Sequence, residues 1–597
     1  MQVCKPRSIR LLRAYNKINA YRVSRVRPPE ENMNEYAIYH RPESEFAYAL
    51  DARTLRIVLR VAENERLQAV ELLYNNKYDF TKRRNTAAMK LCASDGVFAY
   101  YGVDVTLADL RFAYIFKINE QGKTYYYSES GLTESYDFAL AYYDFFQFPF
   151  LNSCDAVKRI PWTESAVFYQ IFIDRFCRGN FTKNDGYVTQ KWEKIPAAKS
   201  YCGGDLQGIT QKLGYLAETG INALYLTPVF TANSNHKYNI SSYTVVDPQF
   251  GSNDDLCGLL EAAHARGMRV ILDTVFNHCD CTHKYFADAI EKGRASEYYD
   301  WFLIEGDFPD IERGNYAHFA DCKYMPKWNT NNAHVRQYLI GIAAAYLQTG
   351  FDGLRLDVAD EVSHTMWREL REAVKTIKPD ALILGEVWHE NTHYLRGNEF
   401  DGVMNYRVQK TFIDYFACGK ITAKEAANRL NRVLMQNFEQ VNAMMLNFLD
   451  NHDTPRFLRF CGGEKERLLT ALCALVLFPG MPCIFYGTEL PLDGGGDPDC
   501  RRTFDWTFVS QDKAYFARYK QILALKKELC AQTGNTKIKA ENGVLKIVRE
   551  RTSERITAVF NMETERSFAG AGIILYEQNY NGKTLGLNGV IVFKEKI

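Results

Sequence analysis

The chain lacks any apolar run long enough to cross a bilayer. Its longest, from Leu468 to Phe478, stops at Pro479 and reaches about half of the ~20 residues a membrane helix requires. It also lacks net charge. A formal charge of +1 gives no electrostatic reason to expect nucleic acid or an anionic membrane as partner. Residues 1–30 are basic and contain no apolar core of a secretion signal. The 15 cysteines follow no regular spacing, so they read as reduced thiols of a cytoplasmic protein rather than as a disulfide framework.

What is present is ordinary for a globular protein: 47% apolar and 24% charged residues, with a high 14% of aromatics that suits β-rich cores and sugar-binding clefts. A chain of 597 residues exceeds what one hydrophobic core organises, so several domains are expected. Residues 1–32, dense in Lys and Arg and ending at Pro28-Pro29, read as a basic leader. It is either a disordered start or a tail for an anionic partner. From about Glu35 to Tyr143 short alternating stretches such as Arg53–Val61 predict a β-sandwich over residues 33–152. The last stretch, 529–597, alternates again and predicts a small terminal β-domain.

Between them the period changes. Eight short apolar runs occur: Ala166–Ile173, Ile221–Thr227, Arg269–Thr274, Asp352–Val358, Ala381–Val387, Asp401–Tyr406, Met444–Leu449 and Cys483–Tyr486. Segments with helical spacing separate most of them: Asp205–Gly220, Asp254–Gly267, Ala333–Gly350, Ser363–Ile377, Ala423–Met435 and Glu464–Phe478. Eight such units over residues 153–528 fit an α/β fold, the (β/α)₈ barrel. The gap after the third strand is too long for a βα loop, which predicts an inserted subdomain over 279–331.

In such a barrel, chemistry sits where strands end. Those ends supply Asp273 with Asn277 and His278, Arg355 with Asp357, Glu386, and His452 with Asp453. Acids arriving from several separate strands are hard to explain as structure alone.

Four of these segments, Asp273–His278, Gly353–Asp357, Gly385–Trp388 and Phe448–Asp453, resemble in order and spacing the signature regions of the α-amylase family of glycoside hydrolases. Val358-Ala-Asp-Glu361, Met325-Pro-Lys327 and the N-terminal β-domain make the likeness strongest to its cyclomaltodextrinase, neopullulanase and maltogenic amylase group. The resemblance implies a retaining hydrolase of α-1,4 bonds in cyclodextrins, maltooligosaccharides or pullulan, with some transglycosylation. It casts Asp357 as nucleophile, Glu386 as acid and base, and Asp453 as the acid that favours the distorted sugar. A retaining pair needs its two carboxyl groups about 5–5.5 Å apart. Arg355, two residues before Asp357, falls on the same side of the strand and would hold it ionised. By the same likeness His278, His452, Tyr238, His236, Glu361, Trp388, Trp328, Asp497 and Arg501 meet substrate.

Several of these residues have a plainer reading. Tyr238 and Trp388 fit core packing as well as sugar stacking, and Asp273 fits a structural acid that orients its neighbours. Cys279, Cys281 and His283 could form a soft-metal cluster, although free thiols explain them more simply. Asn180, Asn184, Asp185, Gly203 and Asp205 resemble the group's oxygen-ligand set for Ca²⁺. The likeness further implies a homodimer in which the N-terminal domain of one copy covers the cleft of the other. Two alternatives remain: an α-1,6-acting or sucrose-handling relative on the same barrel, and a catalytically inactive carbohydrate-binding homologue.

Overall fold

A computed structural model describes residues 33–507, 512–529, 536–550, 553–570 and 572–597. The basic leader proposed for residues 1–32 lies outside the described residues. At the centre stand eight parallel strands: Phe168–Ile171, Ala223–Leu226, Arg269–Thr274, Gly353–Leu356, Leu382–Gly385, Gly402–Val403, Leu446–Phe448 and Met481–Phe485, numbered one to eight below. Each pairs with its neighbours in chain order, and strand one also pairs with strand eight. A parallel bridge from Met404 to Leu446 joins strands six and seven and closes the barrel.

All eight strands fall on the apolar runs read from the sequence. Strands two, four and five are buried at every position, which explains why their sequences are continuous apolar runs without alternation. Each buried leucine, isoleucine or valine contributes ~1.5–3 kcal/mol of transfer free energy.

Local chemistry sets the helix ends. Leu206–Thr219 starts at Asp205, whose carboxylate accepts from Gly208 N at 2.8 Å, and stops at Gly220 in the left-handed region. Asn253–His264 and Ala423–Met435 each begin with a capping box, Ser252 with Asp255 and Thr422 with Glu425. Helices outside the six segments expected from periodicity include Tyr406–Phe412 and Lys513–Leu529. In the second, Tyr515, Tyr519 and Lys526 occupy buried positions, which blurs the apolar stripe.

The N-terminal sandwich packs a sheet ordered Ala47–Ala49, Thr54–Ala62, Phe98–Thr106, Lys90–Ser94 against a second built on Leu67–Asn75 and Phe112–Glu120. Asn431, on the helix after strand six, ties three parts together. Its amide donates to Ser94 O at 2.8 Å in the sandwich and to Ile538 O at 3.0 Å in the C-terminal sheet. Residues 279–331 contribute the helix Lys284–Lys292 and a set of isolated bridges, including His278 with Lys327 and Phe302 with Trp328.

Candidate active site

The C-terminal strand ends open into a cleft of about 490 Å³. Strands three and four place Asp273 and Arg355 as direct register partners. Arg355 is fully buried beneath the cleft floor. Its Nη1 lies 2.7 Å from Asp273 Oδ1 and 2.8 Å from Asp357 Oδ1. Its Nη2 lies 3.0 Å from Glu386 Oε2 but off the angle of a hydrogen bond, so that contact is electrostatic. One guanidinium thus faces acids from strands three, four and five. Arg355 does not line the cleft; it faces Asp357, as their spacing leads one to expect, and it positions the acids that do.

Between the two cleft acids stands Val358, whose backbone is left-handed at φ 46°. A β-branched residue pays for that conformation in strain, commonly 1–3 kcal/mol. The turn directs Val358 N toward Glu386 Oε2, to which it donates at 3.0 Å. Glu386 Oε1 accepts from Trp388 Nε1 at 3.0 Å and from Tyr406 OH at 3.3 Å. Trp388 and Tyr406 stack at 3.8 Å, so the indole borders the cleft while its N–H orients the acid.

Burial raises Asp357 well above the usual carboxylate range, and the nearby Glu386, Asp273 and Asp453 add to it; Arg355 pulls the other way. Asp453 is raised by its withdrawal from water and lowered by Arg501, whose Nη2 lies 3.3 Å from Asp453 Oδ1. Arg501 also pairs with Asp497 at 3.0 Å, and all three residues line the cleft.

His236, His278 and Tyr238 line the cleft as expected. Burial lowers His278 and His236 to about 3, so both rings are neutral at pH 7. His278 Nε2 is buried without a partner, and the ring stacks on Phe319 at 4.8 Å. Tyr238 OH donates to Asp273 Oδ2 at 2.7 Å and touches His452 Nε2. His452 is buried behind Tyr238 and does not line the cleft, and its Nε2 sits 3.2 Å from Asp453 Oδ2.

Trp328 does not line the cleft. It is buried within a cage of Phe302, His283 and Trp301, and its Nε1 donates to Tyr243 OH at 3.1 Å, away from the cleft. Glu361 is exposed and pairs with Lys327 Nζ at 3.3 Å, while its neighbour Asp360 lines the cleft instead. Asp273 follows the structural reading, accepting from Tyr225 and Tyr238 at 2.7 Å each. Cys279 and Cys281 are free thiols, and His283 caps the helix Lys284–Lys292. Among the described residues no group of three or more His, Cys, Asp or Glu side chains is gathered as a metal ion needs.

Tyr406, at the end of the sixth apolar run, is a further residue at the acids that the strand ends named above do not include. Nor do those ends include Phe319, Cys322 and Tyr324, the wall that the inserted segment gives to the cleft. No spacing in the sequence marks them.

The residues implied for calcium do not converge. Asn180 Oδ1 accepts from Thr182 N and Lys183 N, and Asn184 Oδ1 from Gly186 N, all within their own loop. Asp185 is largely exposed and pairs with Arg178 at 3.0 Å. Only Gly203 O and Asp205 Oδ2 face a common point, and the ammonium of Lys183 fills it.

Acids from strands four, five and seven around one cleft are the working arrangement of a glycosidase, and the family comparison agrees. Residues 170–558 match the α-amylase catalytic domain, and residues 33–152 match the α-amylase N-terminal ig-like domain. The chain belongs to the α-amylase family of glycoside hydrolases. It is 39% identical over 544 residues to a cyclomaltodextrinase of Geobacillus thermopakistaniensis (strain MAS1), spanning 89% of this chain and 92% of that protein. It is 36% identical over 559 residues to neopullulanase 2 of Thermoactinomyces vulgaris, spanning 92% and 94%. A solved cyclomaltodextrinase structure superposes with a TM-score of 0.85 at 33% identity, covering 94% of this chain and 98% of that one.

Proposed function

We propose that the protein cleaves α-1,4-glucosidic bonds of cyclodextrins, maltooligosaccharides or pullulan with retention of configuration, and transfers part of its product to sugar acceptors. The observation that carries this reading is the single guanidinium of Arg355 against both Asp357 and Glu386. Two carboxyl groups facing adjacent nitrogens of one guanidinium support a retaining pair, whose carboxyl groups stand about 5–5.5 Å apart. An inverting pair leaves about 6.5–9.5 Å for water between them.

In this mechanism Asp357 attacks the anomeric carbon while Glu386 protonates the departing oxygen. The covalent glycosyl-enzyme is then hydrolysed by water that Glu386 deprotonates. Asp453, anchored by Arg501, holds hydroxyls of the reacting sugar. His278, with its free Nε2, and Tyr238, whose ring lines the cleft, complete the contacts with that sugar. His236, Trp388, Asp497 and Arg501 line the neighbouring positions.

The relatives' names support cyclodextrin and pullulan as substrates. The N-terminal sandwich contributes no residue to the cleft, and it exposes Tyr36, Tyr78, Tyr142 and Tyr143. That placement suits a homodimer in which the sandwich of one copy shields the cleft of another. Thirteen described cysteines, all free, suit a reducing cytoplasm.

The test is hydrolysis of β-cyclodextrin, pullulan and soluble starch side by side at equal mass concentration. Higher kcat/KM on the cyclic or short substrates is expected. A clear preference for starch overturns the substrate reading.

A further inference from the structure

The loop after strand one is where the family likeness implies a bound calcium ion, and the residues there do not fit one. We propose that Lys183 supplies this loop with its cation, so that the protein holds the segment in place without a divalent metal.

The geometry is that of a filled site. Lys183 Nζ donates to Gly203 O and Gln249 O at 2.9 Å each and lies 2.9 Å from Asp205 Oδ2. An ammonium has three donors, and all three find an oxygen. Lys183 keeps 8% of its side chain exposed and Asp205 1%, so the pair is screened little by solvent. A calcium ion requires six to eight oxygens at about 2.3–2.6 Å. The remaining oxygens of the implied set are already engaged with backbone N–H groups or with Arg178.

The chain arranges this locally. Asn180 accepts from the backbone N–H groups of Thr182 and Lys183 and curls the loop back. The Tyr187 hydroxyl donates to Gln249 O at 3.0 Å, so the carbonyl that receives the ammonium is fixed from a second side. Lys183 thus links three segments of chain: its own loop, the start of the helix Leu206–Thr219, and the turn before Asn253–His264. A metal would join the same oxygens, but this chain carries the charge covalently.

Thermal unfolding of the full-length protein tests the proposal. The wild type is expected to show the same Tm, within about 1 °C, in millimolar EDTA and in millimolar CaCl₂. Lys183→Met keeps most of the length of the side chain but removes its charge, and should lower Tm by about 2–4 °C, because Asp205 is left buried without its counter-charge. Lys183→Ala should also melt below the wild type and should not be rescued by CaCl₂, since only three oxygens, Gly203 O, Gln249 O and Asp205 Oδ2, rim the vacated point. A wild-type Tm that falls in EDTA and returns with CaCl₂ overturns the proposal, and this holds even where a variant does not fold. A Lys183→Met variant that melts with the wild type overturns it as well, as does a Lys183→Ala variant whose Tm is restored to the wild-type value by CaCl₂.

Discussion

Asp273 and Arg355 stand opposite each other in strands three and four, and their side chains meet at 2.7 Å with no exposure to solvent. Neither touches the cleft. The pair acts as a fixed base on which Asp357 and Glu386 are set, because Arg355 can face both only while Asp273 fixes its position. Asp273→Asn should therefore lower kcat about 10–100-fold with little change in KM. Its effect on Tm should be small, because burial raises the Asp273 carboxyl in the folded state against the pull of Arg355, as it does for Asp357. Steady-state kinetics with a thermal melt checks this. A changed KM with unchanged kcat would place Asp273 on the substrate instead.

Asp357→Asn should separate activity from stability. Without a nucleophile, kcat should fall on the order of 10⁴-fold or more. The stability effect has the opposite sign. Burial raises the Asp357 pKa in the folded state, so its contribution to stability is present at low pH and is lost as pH rises through that raised value. At neutral pH the neutral amide is the easier group to bury. The variant should melt at or above the wild-type temperature at pH 7, and near-normal turnover would mean that the nucleophile is another residue.

Glu386→Gln should hurt in proportion to how much the leaving group needs a proton. On maltooligosaccharides a loss of about 10²–10⁴-fold is expected. On an α-maltosyl fluoride, whose leaving group departs unprotonated, the first step should remain close to the wild-type rate. A Brønsted comparison across leaving groups is the measurement. An equal loss on all substrates would remove Glu386 from the acid role.

How much of this could be read in advance differs from residue to residue. The barrel strands were legible because burial on both faces leaves continuous apolar runs. The cleft acids Asp357, Glu386 and Asp453 were legible because they follow the ends of those runs. The places of Trp328 and Lys183 were not; for Arg355 the counter-charge to Asp357 was legible, but not its position beneath the cleft beside Asp273 and Glu386. A buried arginine and a cleft arginine have the same local sequence, and the distinction arises from register with strand three. Trp328 depends on the packing of an irregular inserted segment, which has no period to read. Lys183 lies between the residues expected to bind calcium, but three of its acceptors' positions, Gly203, Asp205 and Gln249, come together only through the fold.

One pH effect lies away from the cleft. Glu489 is buried beneath Tyr169 and Tyr215, accepts from both hydroxyls, and is raised by burial to about 7. A carboxyl raised in the folded state stabilises it below the unfolded value near 4.5, and this contribution fades as pH rises through about 7. At ~1.4 kcal/mol per unit, the swing is ~3 kcal/mol. Glu489→Gln should flatten the decline of Tm between pH 5 and pH 8 relative to the wild type. Parallel curves for the two proteins would show that the group does not titrate in that window.

The central claim is that Asp357 and Glu386 work as a retaining pair. The most direct test follows the anomers released from β-cyclodextrin by proton NMR during the first turnovers, before mutarotation. Product appearing first as the α-anomer and then equilibrating is the predicted result. Initial release of the β-anomer would contradict the account, because it requires water, not Asp357, to attack the sugar.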